Sequence, residues 1–396
     1  MNDIDAGRLR PIGMTPVCEQ HLRQALADAL SEGVPPDHEL MRLIEVHRET
    51  LRLHDGVREY SARAAPRLVR SLAECDSALA VGDWVLALRD AGGAWWVERR
   101  LPPLTHLARR DADGRRHAVA SNVDTALLVM GLDDDFNLRR LERYLVLVQA
   151  SGVLPVIVLS KADAVAPARI DDATGELRRR VAPTVDCVIV DARSQQAAAL
   201  LAPYLEAGQT LVLLGSSGAG KSTLTNTLLG AAIQDTGAVR ENDGRGKHTT
   251  TSRSLHRLPG GACVIDTPGL RALRPDVDEA KLAASFADIE ALAPACRFRD
   301  CRHAGEPGCA VREGVAPERL RNFHKLLREA RRDTLTALER RRIVSEWKAR
   351  GRAGNERAKA KRSGTDGQLP SDSLRLDFAP EPQDIEPGAW ISNILR

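Results

Sequence analysis

The middle of the chain, from about residue 122 to residue 273, alternates short apolar runs with amphipathic stretches. Continuous apolar runs predict strands buried on both faces, and apolar residues spaced three and four apart predict helices with one buried side. The predicted strands are 125–130, 154–159, 186–190, 210–214 and 263–266. The predicted helices are 138–150, 174–181, 195–205 and 222–229. This alternation predicts an α/β domain with a mostly parallel sheet covered on both faces.

The segments on either side of this region have different patterns. Residues 1 to about 50 contain helix-like stretches at 21–30 and 40–51, separated by proline and glycine. Short apolar runs at 77–88, 94–98 and 117–121 predict a small β-barrel or sandwich. Residues 318–347 are typical of one or two helices, and 340–362 hold ten Lys/Arg against two Glu. The end after residue 363 is acidic and rich in Pro, Ser and Asp, so we expect it to be mobile.

Composition adds limits on the class of protein. The 396 residues allow two or three domains, and 43% hydrophobic with 28% charged residues is an ordinary soluble balance. No apolar run approaches the ~20 residues that cross a bilayer, and residues 1–10 lack the apolar core of a secretory signal. With a net charge of +3, nucleic-acid affinity would need local basic clusters. The odd count of seven cysteines favours a reduced compartment, so we expect a cytoplasmic protein without membrane segments.

The strongest chemical signal is the segment TLVLLGSSGAGKST, residues 210–223. An apolar strand leads into a glycine-rich loop whose backbone N–H groups can surround phosphate oxygens, and a helix follows with its positive end at the same place. Lys221 would reach the β- and γ-phosphates, and the Ser222 hydroxyl would hold Mg²⁺. The alternative is a glycine-rich turn that matches by chance. The predicted phosphate-loop residues are Gly215, Ser216, Ser217, Gly218, Ala219, Gly220, Lys221, Ser222 and Thr223.

A second loop, SKAD at residues 160–163, follows a predicted buried strand, as a guanine-reading loop would. Asp163 can accept hydrogen bonds from the guanine ring N–H and exocyclic amine, a pattern that adenine does not supply. The aliphatic part of Lys161 would cover the base, and Ala162 completes the loop. Ser160 stands where such motifs usually have Asn, and its shorter side chain leaves the bracing between the loops open. A solvated Lys/Asp turn remains the alternative.

A third element is CVIDTPG, residues 263–269. Asp266 at a strand end can bind Mg²⁺ through water, and the Gly269 N–H can meet the γ-phosphate. Upstream, GRGKHTTT at 244–251 is a candidate switch with three threonines, one of which would complete the Mg²⁺ shell. Leu270 occupies the position where many GTPases have a water-orienting Gln. His248 is the candidate for that role, with a surface histidine as the alternative.

The motif order differs from that of common GTPases, in which the phosphate loop comes first. Here the base-reading loop at 160 precedes the phosphate loop at 215 and the aspartate at 266. The same sheet can be connected in this order if the original termini are joined and the chain is cut elsewhere. The order therefore predicts a circularly permuted GTPase domain.

Three cysteines and a histidine are clustered after this domain. Cys296, Cys301, His303 and Cys309 lie within fourteen residues and match a closed tetrahedral zinc site. The alternative is free cysteines in a helical domain. No neighbouring residue suggests an activated water, so the predicted zinc is structural.

These motifs together resemble the circularly permuted GTPases of the RsgA family, which depend on the small ribosomal subunit. The resemblance rests on SKAD (160–163), GSSGAGKS (215–222), GKHTTT (246–251), DTPG (266–269) and CRFRDCRHAGEPGC (296–309), and covers about residues 55 to 330. It implies an oligonucleotide-binding (OB-like) barrel, a permuted GTPase domain and a helical zinc domain. It also implies late maturation of the 30S subunit, with GTP hydrolysis stimulated by that subunit.

The resulting hypothesis is a multidomain α/β GTPase that uses GTP, GDP, Mg²⁺ and one structural Zn²⁺. Water would attack the γ-phosphate slowly without the subunit, with Lys221, His248 and Asp266 as the catalytic candidates. The predicted domains are an N-terminal extension (1–54), the barrel (55–121), the GTPase domain (122–273), the zinc domain (274–338) and a basic then acidic tail (339–396).

Expected partners are the 30S subunit and 16S rRNA, bound by a monomer through the barrel and the basic run 340–362. That run is equally consistent with solvated surface. Two other functions stay open. One is an ATP-using phosphate-loop enzyme, and the other is an RNA-binding assembly factor for which the nucleotide is only an affinity switch.

Overall fold

The computed structural model describes residues 4–33, 35, 37–47, 50–111, 113–230, 253–267 and 274–334. The chain divides into two units, with the boundary after Val277. Within these described ranges, no helix is both long enough and apolar enough to cross a membrane.

Five strands near the amino terminus close into a barrel. The elements in chain order are α1 (Ala6–Leu9), α2 (Pro16–Ser31), β1 (Glu39–Val46), β2 (Leu51–His54), β3 (Glu59–Ala64), α3 (Pro66–Glu74), β4 (Trp84–Arg89) and β5 (Trp95–Arg100). The strands lie in the order β1-β2-β3-β5-β4, and β4 pairs back with β1, which closes the sheet. Only the β3–β5 pair in this circuit is parallel. The closed sheet confirms the predicted N-terminal barrel.

The barrel begins earlier in the chain than the hydrophobic pattern predicted. Its strands run from residue 39 to residue 100 rather than over 55–121, and the helix predicted for 40–51 is wrong. Strand β1 is buried on both sides, with Met41 and Leu43 in the barrel core and Ile44 in the core of the neighbouring sheet. Because apolar residues occupy both faces, β1 lacks the alternation that marks a half-buried strand.

The central sheet has the predicted parallel arrangement. Its elements are β8 (Thr125–Gly131), α4 (Leu138–Ala150), β9 (Leu154–Ser160), α5 (Pro167–Arg178), β10 (Asp186–Ile189), α6 (Gln196–Leu201), β11 (Thr210–Leu214), α7 (Lys221–Leu229), β12 (Ser254–Arg257) and β13 (Cys263–Asp266). The order is β10-β9-β8-β11-β13-β12, in which the first five strands are parallel and β12 is antiparallel. Separate apolar clusters cover the two faces. Because these strands are parallel, the carboxyl ends of β8, β9, β11 and β13 lie along one edge of the sheet.

One strand pair joins the barrel to this sheet, and a small separate sheet completes the unit. Strand β12 pairs with β1 through Ser254 and Glu45, so the strands form one continuous eleven-stranded sheet. Strands β6 (His106–Arg110) and β7 (Arg116–Ser121) lie outside the barrel and form a second sheet with β14 (Arg274–Pro275).

Arg42 on β1 fixes the junction between these parts. Its side chain is fully buried and donates to the backbone oxygens of Gly13 (2.9 Å), Asn122 (3.0 Å) and Gly82 (3.3 Å), and to the Thr210 hydroxyl (3.0 Å). These acceptors belong to the N-terminal segment, the barrel and the start of β8 and β11. One guanidinium group therefore satisfies buried carbonyl groups from several parts of the unit.

The second unit is helical in its described part. It contains α8 (Glu279–Ala284), α9 (Ala287–Leu292), α10 (Ala310–Gly314) and α11 (Pro317–Thr334). Arg319 of α11 donates two hydrogen bonds, of 2.6 and 2.7 Å, to the Asp288 carboxylate of α9. The ring of Phe323 packs edge-on against Phe286 at 5.2 Å. The helix predicted from residue 318 is confirmed as far as residue 334.

Candidate functional site

The glycine-rich loop joins β11 to α7 at the carboxyl edge of the central sheet. Gly218 and Gly220 have φ angles of +84° and +91°, a region that side chains with a Cβ rarely adopt. A Cβ at Gly215 would lie 2.3 Å from the carbonyl oxygen of Val129, so the backbone of β8 itself excludes a side chain there. These positions give the loop the close, inward-turned backbone that a phosphate group requires.

Lys221 begins α7 and is only 6% exposed. Its ammonium group donates to the carbonyl oxygens of Gly215 (3.1 Å) and Ser216 (2.7 Å). Burial lowers the pKa of Lys221, while the negative charges of Asp266 and Asp135 oppose that shift. The ammonium group therefore bonds to neutral carbonyl oxygens of the loop, which an arriving phosphate anion can replace.

Asp266 ends β13 and is 3% exposed. Burial raises its pKa, and the charge of Lys221 works in the opposite direction. Its Oδ1 atom is buried without a hydrogen-bond partner among the described residues. A buried carboxylate oxygen with no partner fits a hydrated divalent cation, for which oxygen ligands are the preferred type. Ser222, in the first turn of α7, supplies a second oxygen at the same edge.

The SKAD loop lies two strands away and contacts the glycine-rich loop directly. Ser160 is fully buried, and its hydroxyl donates to the carbonyl oxygen of Ala219 over 2.6 Å. The Ala162 N–H donates to the Val190 oxygen (3.3 Å), which ties this loop to the end of β10. The serine thus braces the two loops although it is shorter than the usual Asn. The bracing left open by the sequence is present.

The remaining part of this edge carries Lys161 and Asp163 of the SKAD loop. Lys161 has a φ of +60°, and the Asp163 side chain is exposed without a hydrogen-bond partner among the described residues. On the opposite side, the Thr227 hydroxyl of α7 donates to the carbonyl oxygen of Ala192 (2.7 Å). Loops after β9, β10 and β11 therefore meet at one edge of the sheet.

Two residues that the sequence analysis missed lie at the same edge. Asp133 and Asp135 follow β8, and they accept from Lys161 Nζ (2.6 Å) and Ser216 Oγ (2.5 Å) respectively. Their signal was a run of three aspartates that begins three positions after the end of a predicted buried strand. Acidic residues at that position are common in solvated turns, so the run alone carried no assignment.

Several predicted site residues lie outside the described part of the chain. They are His248, Gly269, Leu270, the switch 244–251 and the basic run 340–362.

The cysteine cluster is compact and belongs wholly to the second unit. The ligand atoms of Cys296, Cys301, His303 and Cys309 all lie within 4.8 Å of one another. Cys296 Sγ is 3.6 Å from His303 Nδ1 and 3.9 Å from Cys309 Sγ, and Cys309 Sγ is 3.4 Å from His303 Nδ1. A tetrahedral zinc ion with Zn–S bonds of about 2.3 Å separates its sulfur ligands by roughly 3.8 Å. The donor set and its spacing therefore fit zinc.

Glu306 holds the loop between Cys301 and Cys309 in shape. Its carboxylate accepts the backbone N–H groups of Arg302 (3.0 Å), Ala304 (2.9 Å) and Gly305 (3.0 Å). These bonds lower the pKa of Glu306 to about 2. A fixed loop of this kind presents its ligands in one arrangement, as a structural metal site requires.

A parallel sheet with a phosphate loop after β11 and a second polar loop after the earlier strand β9 defines a circularly permuted phosphate-loop GTPase. Residues 101–275 match the family model described as RsgA GTPase. Relatives that are 44% identical over 311 and 319 residues show that the chain belongs to the RsgA GTPase family. It is therefore a GTPase, and family membership implies GTP, GDP and Mg²⁺ as its ligands.

Named relatives agree with this assignment. Small ribosomal subunit biogenesis GTPase RsgA of Xanthomonas campestris pv. campestris (strain B100) is 44% identical over 311 residues, covering 76% of this chain and 82% of the relative. The protein of that name from Xanthomonas axonopodis pv. citri (strain 306) is 44% identical over 319 residues, covering 78% and 85%.

Two crystal structures share the fold. YjeQ from Thermotoga maritima aligns with a TM-score of 0.54 and 22% identity, covering 74% of this chain and 98% of that one. YloQ, described as a circularly permuted GTPase, aligns with a TM-score of 0.51 and 21% identity, covering 76% and 97%.

Proposed function

We propose that this GTPase binds the small (30S) ribosomal subunit and assists its late maturation, hydrolysing GTP slowly alone and faster on the subunit. The relatives are named for biogenesis of that subunit. Those names carry the proposed partner, whereas the nucleotide-binding part is carried by the 2.6 Å hydrogen bond from the Ser160 hydroxyl to the Ala219 carbonyl oxygen, which joins the loop for the base to the loop for the phosphates. One guanine nucleotide can then occupy both loops at once.

At the phosphate end, the N–H groups of residues 215–223 surround the phosphate oxygens, and Lys221 turns from the loop carbonyls to the β- and γ-phosphates. Ser222 and Asp266 would hold Mg²⁺, which would supply positive charge beside the phosphate oxygens. Gly269 meets the γ-phosphate with its N–H. His248 orients the attacking water, because Leu270 has no polar group for this task.

At the base end, the exposed Asp163 carboxylate accepts the two N–H hydrogen bonds that guanine offers. The aliphatic part of Lys161 covers one face of the ring, and Ala162 completes the loop. Ser160 belongs to the nucleotide site through its bond to Ala219. It holds the phosphate loop in register with Asp163, so that both ends of the nucleotide are bound together.

The second unit holds one structural zinc ion through Cys296, Cys301, His303 and Cys309. The support is the spacing of the four ligand atoms and the three backbone N–H groups that Glu306 accepts. Metal analysis of purified protein should give about one zinc per chain. Cys309→Ser should lower that ratio and the thermal stability of the second unit, and an unchanged ratio would contradict the assignment.

The proposed partner surfaces are the barrel and the basic run 340–362, which would contact 16S rRNA through phosphate groups. We propose that the protein acts as a monomer in the cytoplasm. Binding to rRNA should then weaken steeply as salt rises, with each lysine or arginine contact adding to the slope.

The deciding experiment measures GTP hydrolysis with and without purified 30S subunits. A rate that rises on addition of 30S, and does not rise with 50S subunits, supports the proposal. Equal rates in all three samples would contradict the proposed partner. A Lys221→Ala variant that still supports subunit maturation would favour the nucleotide as an affinity switch only.

Base selectivity is tested separately with Asp163→Ala. This variant should lose the preference for GTP over ATP in a competition assay, because the carboxylate that reads the guanine N–H groups is removed. Asp171→Ala is a matched control, since Asp171 is an exposed aspartate on the neighbouring helix α5. A variant at Asp163 that keeps the wild-type preference would show that another group reads the base.

A further inference from the structure

The loop that follows β8, residues 132–136, lies between the two nucleotide loops and contacts both of them. It belongs to none of the motifs that bind nucleotide in the proposed function. We propose that Asp133 and Asp135 are positioning residues, which hold Lys161 for the base and Ser216 for the phosphates. The proposal rests on the proposed function, because it needs a guanine nucleotide in this site.

The Asp135 carboxylate is largely buried and held by several donors, unlike a typical surface carboxylate. Its side chain is 14% exposed. One oxygen accepts the Ser216 hydroxyl (2.5 Å) and pairs with Arg140, and the other accepts the Gly131 N–H (3.2 Å). Three donors from three elements determine the position of this group, so the carboxylate in turn determines where Ser216 lies.

The ion pair with Arg140 explains how a carboxylate can lie beside a phosphate loop. An uncompensated negative charge there would repel the nucleotide that the loop binds. Arg140 lies in the first turn of α4, where it also donates to the Asp135 backbone oxygen. The pair removes the net charge while leaving an oxygen lone pair for Ser216.

Asp133 acts at the other end of the pocket. Its carboxylate accepts from Lys161 Nζ over 2.6 Å, and the side chains of Asp133 and Lys161 are 42% and 30% exposed. A pair this exposed adds little to stability. It can still restrict the rotamers of Lys161, and thereby hold the aliphatic part of that side chain over the base.

Asp134, between them, is exposed and has no hydrogen-bond or ion-pair partner among the described residues. It therefore offers a matched control: the same loop, the same residue type and the same change of charge. Any effect common to all three aspartates is an effect of net charge, and only the difference between them reports on bracing.

The experiment measures dissociation constants for GDP and GMP by displacement of a fluorescent GDP, with thermal stability recorded in parallel. Asp135→Ala should weaken GDP binding about tenfold, because a charge-assisted bond to the phosphate loop is lost. It should weaken GMP binding less, since GMP lacks the β-phosphate that the loop surrounds. Asp133→Ala should weaken both nucleotides by the same smaller factor, and Asp134→Ala should change neither.

A double-mutant cycle tests whether Asp135 acts through Ser216. Asp135→Ala combined with Ser216→Ala should bind GDP no more weakly than Asp135→Ala alone. Asp135→Asn keeps an oxygen that can accept from Ser216, so it should recover most of the affinity. The Asp135→Asn variant also keeps the test valid if Asp135→Ala does not fold.

Losses that add in the double variant, or that are equal for GDP and GMP in Asp135→Ala, would overturn the proposal. Unchanged affinity in Asp135→Ala would overturn the proposal as well. In each of these cases the proposed function still stands if the wild-type protein binds GDP. Wild-type protein that binds neither nucleotide would refute the proposed function itself.

Discussion

Replacing Ser160 with alanine removes one hydroxyl group from a fully buried position. That hydroxyl donates to the carbonyl oxygen of Ala219 over 2.6 Å, and Ala219 is itself fully buried. The Met130 carbonyl oxygen also lies near this hydroxyl, at 3.3 Å. A hydroxyl has one proton to donate, and the shorter distance is the one to Ala219. A buried acceptor left without its donor costs about 1–3 kcal/mol, so we expect the free energy of unfolding to fall by that amount.

The effect on nucleotide affinity should be smaller than the effect on stability. The bond is already present in the protein without nucleotide, so most of its free energy contributes to folding. Only the share that holds the phosphate loop in its binding conformation contributes to nucleotide affinity. Preference for GTP over ATP should stay unchanged, because the Asp163 carboxylate is untouched.

Urea unfolding followed by circular dichroism measures the first quantity, and calorimetric titration with GDP, GTP and ATP measures the second. Ser151→Ala is a suitable control, since its hydroxyl also donates to a backbone oxygen (Leu147, 2.8 Å) but lies beyond the far end of α4. The control should lose some stability and no nucleotide affinity. Unchanged stability together with a lost GTP preference in Ser160→Ala would refute this reasoning, because the hydroxyl would then act on the base.

Three further changes test other parts of the structure. Gly215→Ala places a Cβ 2.3 Å from the Val129 oxygen, so GDP affinity measured by titration should fall at least about tenfold while the circular dichroism spectrum is retained. Burial, with neighbouring arginine charges, lowers the pKa of His106 from 6.5 to about 4. Because the folded pKa is the lower one, stability should be complete above pH 6.5 and fall by up to about 3 kcal/mol towards pH 4, a loss that His106→Gln should reduce in urea titrations. Arg42→Met leaves several buried carbonyl groups without a donor and should lower the unfolding free energy by about 3 kcal/mol or more, whereas an unchanged urea midpoint would contradict the junction described for Arg42.

Much of the central domain could be predicted because its signals are local. The helix at 138–150 coincides with α4, where the Asn137 side chain caps the first turn by accepting the Arg140 N–H. The turn between β11 and α7 was predicted from its glycines, and Gly218 and Gly220 adopt positive φ angles that other residues avoid. Such features depend on residues a few positions apart, and a single sequence displays them directly.

Other features could not be predicted, because the interactions that create them connect distant positions. Strand β1 was mistaken for a helix since its two faces enter two different cores, which removes the alternation of polar and apolar residues. The Asp135–Ser216 bond spans 81 positions along the chain, and the Ser160–Ala219 bond spans 59. No local pattern marks either pair.

The amino-acid sequence by itself determined the chemistry of this protein: which residue types can bind phosphate, guanine and zinc, and the permuted order in which they occur. Tertiary structure alone decided which of them meet, because parallel strands gather their carboxyl ends at one edge whatever their distance along the chain. It also decided that the Ser160 hydroxyl reaches the Ala219 carbonyl oxygen, since that distance is set by packing of the whole sheet.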